Sequence, residues 1–126
     1  MTELIAVAVG GALGAVGRHV LAQWAQARAG ADFPVGTLLV NLLGCLLLGA
    51  IAAALAHGPA AQERWRLLLG VGLLGSFTTF STWSFENLAL IEHGRWGAAA
   101  LNVFGQLLLG FAALMIGRAG MTAVLR

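Results

Sequence analysis

Four long apolar runs, at about 4–24, 34–56, 66–91 and 96–117, set the pattern of this chain, with polar residues gathered mainly at the joints. A helix that crosses a bilayer needs about 20 mostly apolar residues, and each run is long enough. The joints carry helix punctuation. Asp32-Phe33-Pro34 predicts an acidic cap and a first-turn proline for the second helix. His57-Gly58-Pro59 is expected to end that helix, and Glu92-His93-Gly94 the third. Trp24, Trp65 and Trp96 fall near predicted helix ends, where aromatic belts lie. The first run opens on Met1-Thr2-Glu3-Leu4, with no basic residue, so it is expected to remain as a helix rather than to be removed as a signal peptide. Its Gly10 and Gly14 form a small-xxx-small pair of the kind that lets helices approach closely.

The third run departs from the apolar pattern. A continuous helix from Arg66 to Glu92 would extend roughly 39 Å, more than the hydrocarbon requires. Between Ser76 and Ser84, six of nine residues are Ser or Thr: Ser76, Thr78, Thr79, Ser81, Thr82 and Ser84. Hydroxyl and β-branched residues following the glycines of 70–75 are poor material for an unbroken helix. A break is expected near 75–79. Non-helical backbone at membrane depth persists only where protein buries it or a wet cavity adjoins it. Freed carbonyls there can hold a cation, and helix N-termini favour anions. The glycines also spell G-x-G-x-x-G, but no strand pattern precedes them, so a nucleotide site is not expected. Phe80 and Trp83 are three apart and share a helix face. They can serve as packing, or present positive ring edges to an anion.

Other polar groups lie inside the runs: Arg18, Asn41, Glu86, and the pair Asn102 and Gln106, four apart on one face. Buried amides often only join neighbouring helices, for about 0.6–2 kcal/mol. Polar groups facing inward from all four helices suggest an ion path, and donors that outnumber carboxylates suit an anion.

Composition narrows the picture. The 126 residues are 60% hydrophobic and only 10% charged, where a soluble domain carries about a quarter. There is one Cys and neither Lys nor Tyr, so no thiolate cluster, P-loop lysine or Schiff base is available, and no catalytic constellation is visible. An enzyme is not expected. The seven arginines are dispersed, which argues against a nucleic-acid surface. Four spans put both termini on one side, with Arg64, Arg66, Arg118 and Arg126; Arg18, Arg28 and Arg95 fall to the other. The positive-inside rule then gives almost no preference, as expected of a chain that inserts both ways. Oppositely inserted copies can pair about an axis in the membrane plane, giving eight helices to enclose a path.

Three blocks carry a family resemblance: Gly10-Gly11-Ala12-Leu13-Gly14-Ala15-Val16-Gly17-Arg18, then Pro34 through Gly44 with Asn41, then Gly75-Ser76-Phe77-Thr78-Thr79-Phe80-Ser81-Thr82-Trp83-Ser84-Phe85-Glu86. In order and spacing they resemble the small bacterial fluoride channels, the Fluc or CrcB-type fluoride exporters. The resemblance implies an all-α integral membrane protein with four helices per chain and the third broken near the midplane. It implies an antiparallel, dual-topology homodimer in the bacterial cytoplasmic (inner) membrane that conducts fluoride passively and confers fluoride resistance. It also implies a structural Na+ at the dimer centre, held by backbone carbonyls at positions matching Gly75 and Thr78. Asn41 matches the pore asparagine and Phe80 the first pore aromatic; Trp83 stands where the second is usually Phe. Thr79, Ser81 and Thr82 match a hydroxyl-bearing stretch, Arg18 the first-helix arginine and Glu86 an acid near a pore end. Asn102 and Gln106 occupy places where the family has Tyr or hydroxyl residues. The competing reading is a small dual-topology proton-coupled multidrug exporter, which needs a membrane-embedded carboxylate in its first helix; Glu3 lies too near the terminus to serve.

Overall fold

The computed structural model describes residues 2–56 and 61–126. The predicted stop at His57-Gly58-Pro59 lies outside the described residues. Among those residues the chain is all helix, with four helical stretches long and apolar enough to cross a membrane. Helix α1 spans Thr2–Ala29 and α2 spans Val35–Ala54. The third stretch comprises α3 (Ala61–Trp65), a wider-wound π-type segment (Arg66–Leu74), α4 (Gly75–Phe77) and α5 (Phe80–Glu92). Helix α6 spans Trp96–Val124.

The joints obey the sequence in one place and depart from it in another. After α5, Gly94 takes φ +71°, and Arg95 N–H closes back onto Leu90 O at 2.8 Å. This is a glycine C-cap, as the Glu92-His93-Gly94 pattern predicts. At the start of α2 the expected acidic cap is not formed: Pro34 occupies the cap position and no side chain on α2 closes it. The closing group comes from α1. Gln26 Oε1 accepts from Gly36 N–H at 3.0 Å, while Gln26 Nε2 donates to Phe33 O at 3.0 Å. Gly36 packs so closely on Ala22 that a Cβ would overlap its carbonyl, and this proximity brings the glutamine within reach. Asp32 loses the role because a nearer, longer amide takes the same N–H.

Packing follows small residues. Helix α2 lies along α6, and α1 lies along the π-type segment and α2. A Cβ on Gly49 would overlap Leu114 carbonyl, and one on Gly117 would overlap Leu46 carbonyl. The two helices are thus seated by reciprocal glycines. Gly10 and Gly14 do the same for α1 against the backbone of Leu68 and Leu73. In lipid, where apolar burial does not drive helices together, such backbone contact does.

Burial is inverted relative to a soluble domain. Among the described residues the buried side chains include Thr37, Thr79, Asn87, Asn102 and Gln106, as many as the buried apolar ones. Large apolar residues such as Leu13, Phe104, Leu108 and Phe111 are exposed. This is the arrangement of a multi-pass membrane protein, polar within and apolar toward lipid.

The glycine contacts give a prediction. Gly117→Ala should destabilise the purified protein by about 1–3 kcal/mol through overpacking. Gly120→Ala has open space around it and should be neutral or gain about 0.5–1 kcal/mol from helix propensity. Helical circular dichroism during thermal unfolding in detergent measures both; equal midpoints would contradict the close α2–α6 approach.

Candidate functional site

The site is built where helical dihedrals stop. Phe77 is the last residue of α4 and Phe80 the first of α5. Between them Thr78 (φ −83°, ψ 158°) and Thr79 (φ −149°, ψ 120°) are extended. Gly75, where the expected interruption began, is helical at φ −62° and ψ −33°. The interruption therefore lies later than the glycines alone suggest. Its position has a side-chain cause. Asn41, inside α2, accepts from Thr79 N–H at 2.8 Å and donates from Nδ2 to Thr79 O at 3.1 Å. The carboxamide thus pairs with both backbone groups of one extended residue, supplying what a helix would have supplied. Thr78 closes the preceding turn, its N–H and Oγ1 both donating to Leu74 O at 3.1 Å.

Thr79 then caps α5. Its Oγ1 accepts from Thr82 N–H at 3.2 Å, donates to Thr82 Oγ1 at 3.0 Å and lies 3.3 Å from Ser81 Oγ. This N-cap fixes the first turn of α5 and hence the aromatic pair. The Phe80 and Trp83 ring centroids are 4.8 Å apart with planes tilted by 49°. Trp83 Nε1 donates to Asn102 O at 3.2 Å, which ties the pair to α6.

From Asn41 a line of amides runs inward. Asn41 Nδ2 donates to Gln106 Oε1 at 2.6 Å, Gln106 Nε2 to Asn102 Oδ1 at 2.9 Å, and Asn102 Nδ2 to Asn87 Oδ1 at 2.9 Å. A cavity of about 230 Å³ adjoins this cluster, lined by Asn41, Thr79, Phe80, Trp83 and Gln106 among apolar neighbours. Phe80 is 73% exposed, so the aromatic wall stands open on the outer surface.

The structure thus brings Asn41, Thr79, Phe80, Ser81, Thr82, Trp83, Asn102 and Gln106 into one region. Arg18 reaches it at the edge, with Nη1 donating to Thr78 O at 3.5 Å. Glu86 lies apart from the amide line. Its Oε1 accepts from Thr37 Oγ1 at 2.5 Å, and it lines a separate cavity of about 400 Å³ with His93, Arg95 and Asp32. Gly75 makes no polar side-chain contact, but its carbonyl lacks the usual helical donor because Thr79 N–H is turned to Asn41.

Residues 5–118 match the family described as CrcB-like protein, Camphor Resistance (CrcB). The chain belongs to the CrcB-like family. It is 48% identical over 112 residues to "Fluoride-specific ion channel FluC 2" of Symbiobacterium thermophilum, covering 89% of this chain and 91% of the relative. It is 46% identical over 118 residues to "Fluoride-specific ion channel FluC" of Caulobacter sp. strain K31, with 93% and 92% covered. A third relative, from Roseiflexus sp. strain RS-1 and carrying that same name, is 44% identical over 123 residues, with 98% of each chain covered.

Two site residues of this CrcB-like chain escaped the sequence reading. Thr37 is buried beneath Glu86, and Asn87 ends the amide line. Thr37 stands four residues before Asn41, on the same helical face, and that spacing was a usable signal. Asn87 gave less, because it follows Glu86 at the polar end of an already polar run.

The pairing at Thr79 gives a stability prediction. Asn41→Leu leaves the Thr79 N–H and C=O without partners and should cost about 2–6 kcal/mol, at about 1–3 per orphaned group. Ser81→Ala removes only one exposed hydroxyl contact and should lie within about 0.5 kcal/mol of the parent. Equilibrium unfolding in mixed micelles distinguishes them; a stable Asn41→Leu protein would contradict the backbone role of Asn41.

Proposed function

We propose that the chain is a passive fluoride channel of the bacterial cytoplasmic membrane, working as a pair of oppositely inserted copies whose third helix is interrupted near the midplane. The carrying observation is the cluster of neutral donors around Asn41 beside the Phe80–Trp83 pair, with a cavity open on the protomer's outer face. Relatives that share 44–48% identity bear the name fluoride-specific ion channel.

The physical argument starts from hydration. Fluoride is small and holds water tightly, so a pore must offer close N–H and O–H donors in exchange. Asn41, Thr79, Ser81, Thr82, Asn102 and Gln106 supply amides and hydroxyls. The ring edges of Phe80 and Trp83 supply weaker positive contacts in a narrow passage. Arg18, and Glu86 beside His93 and Arg95, stand at the margins, where charge tunes entry without trapping the ion. An inside-negative potential moves an anion outward by about 2.3 kcal/mol per 100 mV, so export needs no fuel and no enzymatic step. Hydrogen fluoride that leaks in and dissociates is then returned as fluoride, giving resistance.

A second copy in inverted orientation is supported by the near-equal arginine tally and by the open aromatic face. Phe80 would be covered in such a pair. A structural Na+ would be held by the neutral backbone oxygens of Gly75 and Thr78, ligands a hard cation accepts, with the Thr78 oxygen shared with Arg18 Nη1 at 3.5 Å. When bound it supplies fixed positive charge between the copies. The multidrug-exporter reading lacks its defining group, because the only acid of α1 is Glu3 in its first turn.

Liposomes containing the purified protein should release fluoride, and not chloride, when a potassium-ionophore potential is applied and an ion-selective electrode records efflux. Asn41→Asp, which keeps the acceptor for Thr79 N–H and loses the donor, should slow efflux by about a hundredfold or more. Absence of fluoride release from monodisperse wild-type protein would end the reading. Undiminished efflux from Asn41→Asp would remove Asn41 from the pathway.

A further inference from the structure

The amide line has a direction, and the backbone imposes it. Thr79 N–H donates to Asn41 Oδ1 at 2.8 Å, and a peptide N–H cannot exchange its role. Asn41 must therefore turn Nδ2 toward Gln106 Oε1. Gln106 in turn presents Nε2 to Asn102 Oδ1, and Asn102 presents Nδ2 to Asn87 Oδ1. Two consequences follow. Asn87 is 7% exposed, and its Nδ2 is buried with no acceptor. At the other end, both Asn41 N–H groups are engaged, on Thr79 O and Gln106 Oε1. Gln106 thus turns a carbonyl oxygen toward the place where an anion would meet Asn41.

Orphaned N–H donors in protein interiors are rarer than under-satisfied carbonyl oxygens. This orientation of the line therefore leaves the less tolerated group at its inner end. Turning over the three carboxamides of Gln106, Asn102 and Asn87 reverses the line without breaking its two inner links. Asn87 Nδ2 would then donate to Asn102 Oδ1, and Asn102 Nδ2 to Gln106 Oε1. Gln106 Nε2 would face Asn41 Nδ2, two donors opposed, which is unfavourable unless an acceptor sits between them.

We propose that Gln106, Asn102 and Asn87 form a reversible amide relay in which a halide at Asn41 turns Gln106 from acceptor to second donor, with Asn87 as the positioning residue that makes the reversal accessible. The relay rests on the fluoride-channel reading and deepens it: it assigns a donor to the anion that the resting arrangement conceals. Only hydrogen bonds exchange, and no covalent bond or proton changes place. The orphaned N–H at Asn87 biases the line toward reversal, and the Asn41–Gln106 bond opposes it until an anion replaces that bond. An ion that comes between these amides must part atoms now 2.6 Å apart, and a smaller halide parts them less.

The test pairs flux with side-chain resonances on the full-length protein. Ionised, Asn87→Asp can only accept, so at a pH where its carboxyl is charged it holds Asn102 and Gln106 in the resting direction and should slow fluoride efflux by about tenfold. Asn87→Leu removes the acceptor that favours the resting direction together with the donor that favours reversal, and should slow efflux less than Asn87→Asp does. A hydrogen bond that merely supports packing leaves the Gln106 and Asn102 amide resonances indifferent to fluoride, whatever the order of the two variants. Should Asn87→Asp not fold, the wild-type protein labelled with ¹⁵N at Asn and Gln decides. Fluoride should shift the side-chain amide resonances of Gln106, Asn102 and Asn87, and chloride should not. Resonances of Asn87 and Asn102 unmoved by fluoride, or Asn87→Leu impaired more than Asn87→Asp, would overturn the relay while wild-type efflux leaves the channel reading standing. Wild-type liposomes that hold their fluoride would instead remove the channel reading and the relay together.

Discussion

The rest of the structure depends on one side chain meeting one residue's backbone. An extended residue inside an apolar span leaves an N–H and a C=O that lipid cannot satisfy, each at a cost of several kcal/mol. Asn41 satisfies both at Thr79. That pairing permits helical dihedrals to stop between Phe77 and Phe80. A new helix can then begin with its own cap, Thr79 Oγ1 on Thr82 N–H. The cap sets the phase of α5, and the phase sets where Phe80, Trp83 and Asn87 stand relative to α6. Remove the carboxamide and each later feature loses its reference point.

The same constraint explains which parts were legible in the sequence. Span number followed from length and hydropathy, because lipid tolerates few alternatives to a long apolar helix. The hydroxyls and β-branches of the Ser/Thr-rich stretch weaken helix there, and Thr78 and Thr79 are extended. The two extended residues fall inside the expected range 75–79, but which residues of it would leave the helix was not legible, because that is set across helices by Asn41 and not by the local glycines; Gly75 stays helical. The Asp32 cap failed for a similar reason, with Gln26 of α1 reaching Gly36 first. Asn87 and Thr37 were invisible as partners because their roles exist only once α5, α2 and α6 are packed. Local chemistry, in short, is written along the chain, whereas partnership between amides on different helices is not.

Glycine placement makes that partnership possible. Gly49 and Gly117 draw α2 and α6 to backbone contact, and further along the same pair of helices Asn41 and Gln106 meet at 2.6 Å. Two long side chains from helices held further apart would need a water between them. Gly110 opposes Cys45 at ordinary van der Waals distance, on the stretch that borders the cavity. The helices are therefore closest away from the cavity and looser beside it, which concentrates the open volume where the donors are.

The character of those donors bears on conduction as much as on binding. A pore must hold its ion strongly enough to replace water and weakly enough to release it. A full positive charge facing a small anion in a low-dielectric site would bind it far more deeply than neutral dipoles do. In this chain the groups next to the cavity are amides, hydroxyls and ring edges, and the guanidinium of Arg18 is directed to Thr78 O. Trp83 fits the same logic. Its indole N–H, which could have added a strong fixed donor, is engaged by Asn102 O. What remains for the proposed path is the ring edge, the feature that Phe at this position would also offer. The substitution of Trp for the Phe usual in the resembled family thus adds bulk and a tether to α6 without adding a donor. The count of neutral donors along the path is left to the amides, whose orientation Thr79 controls.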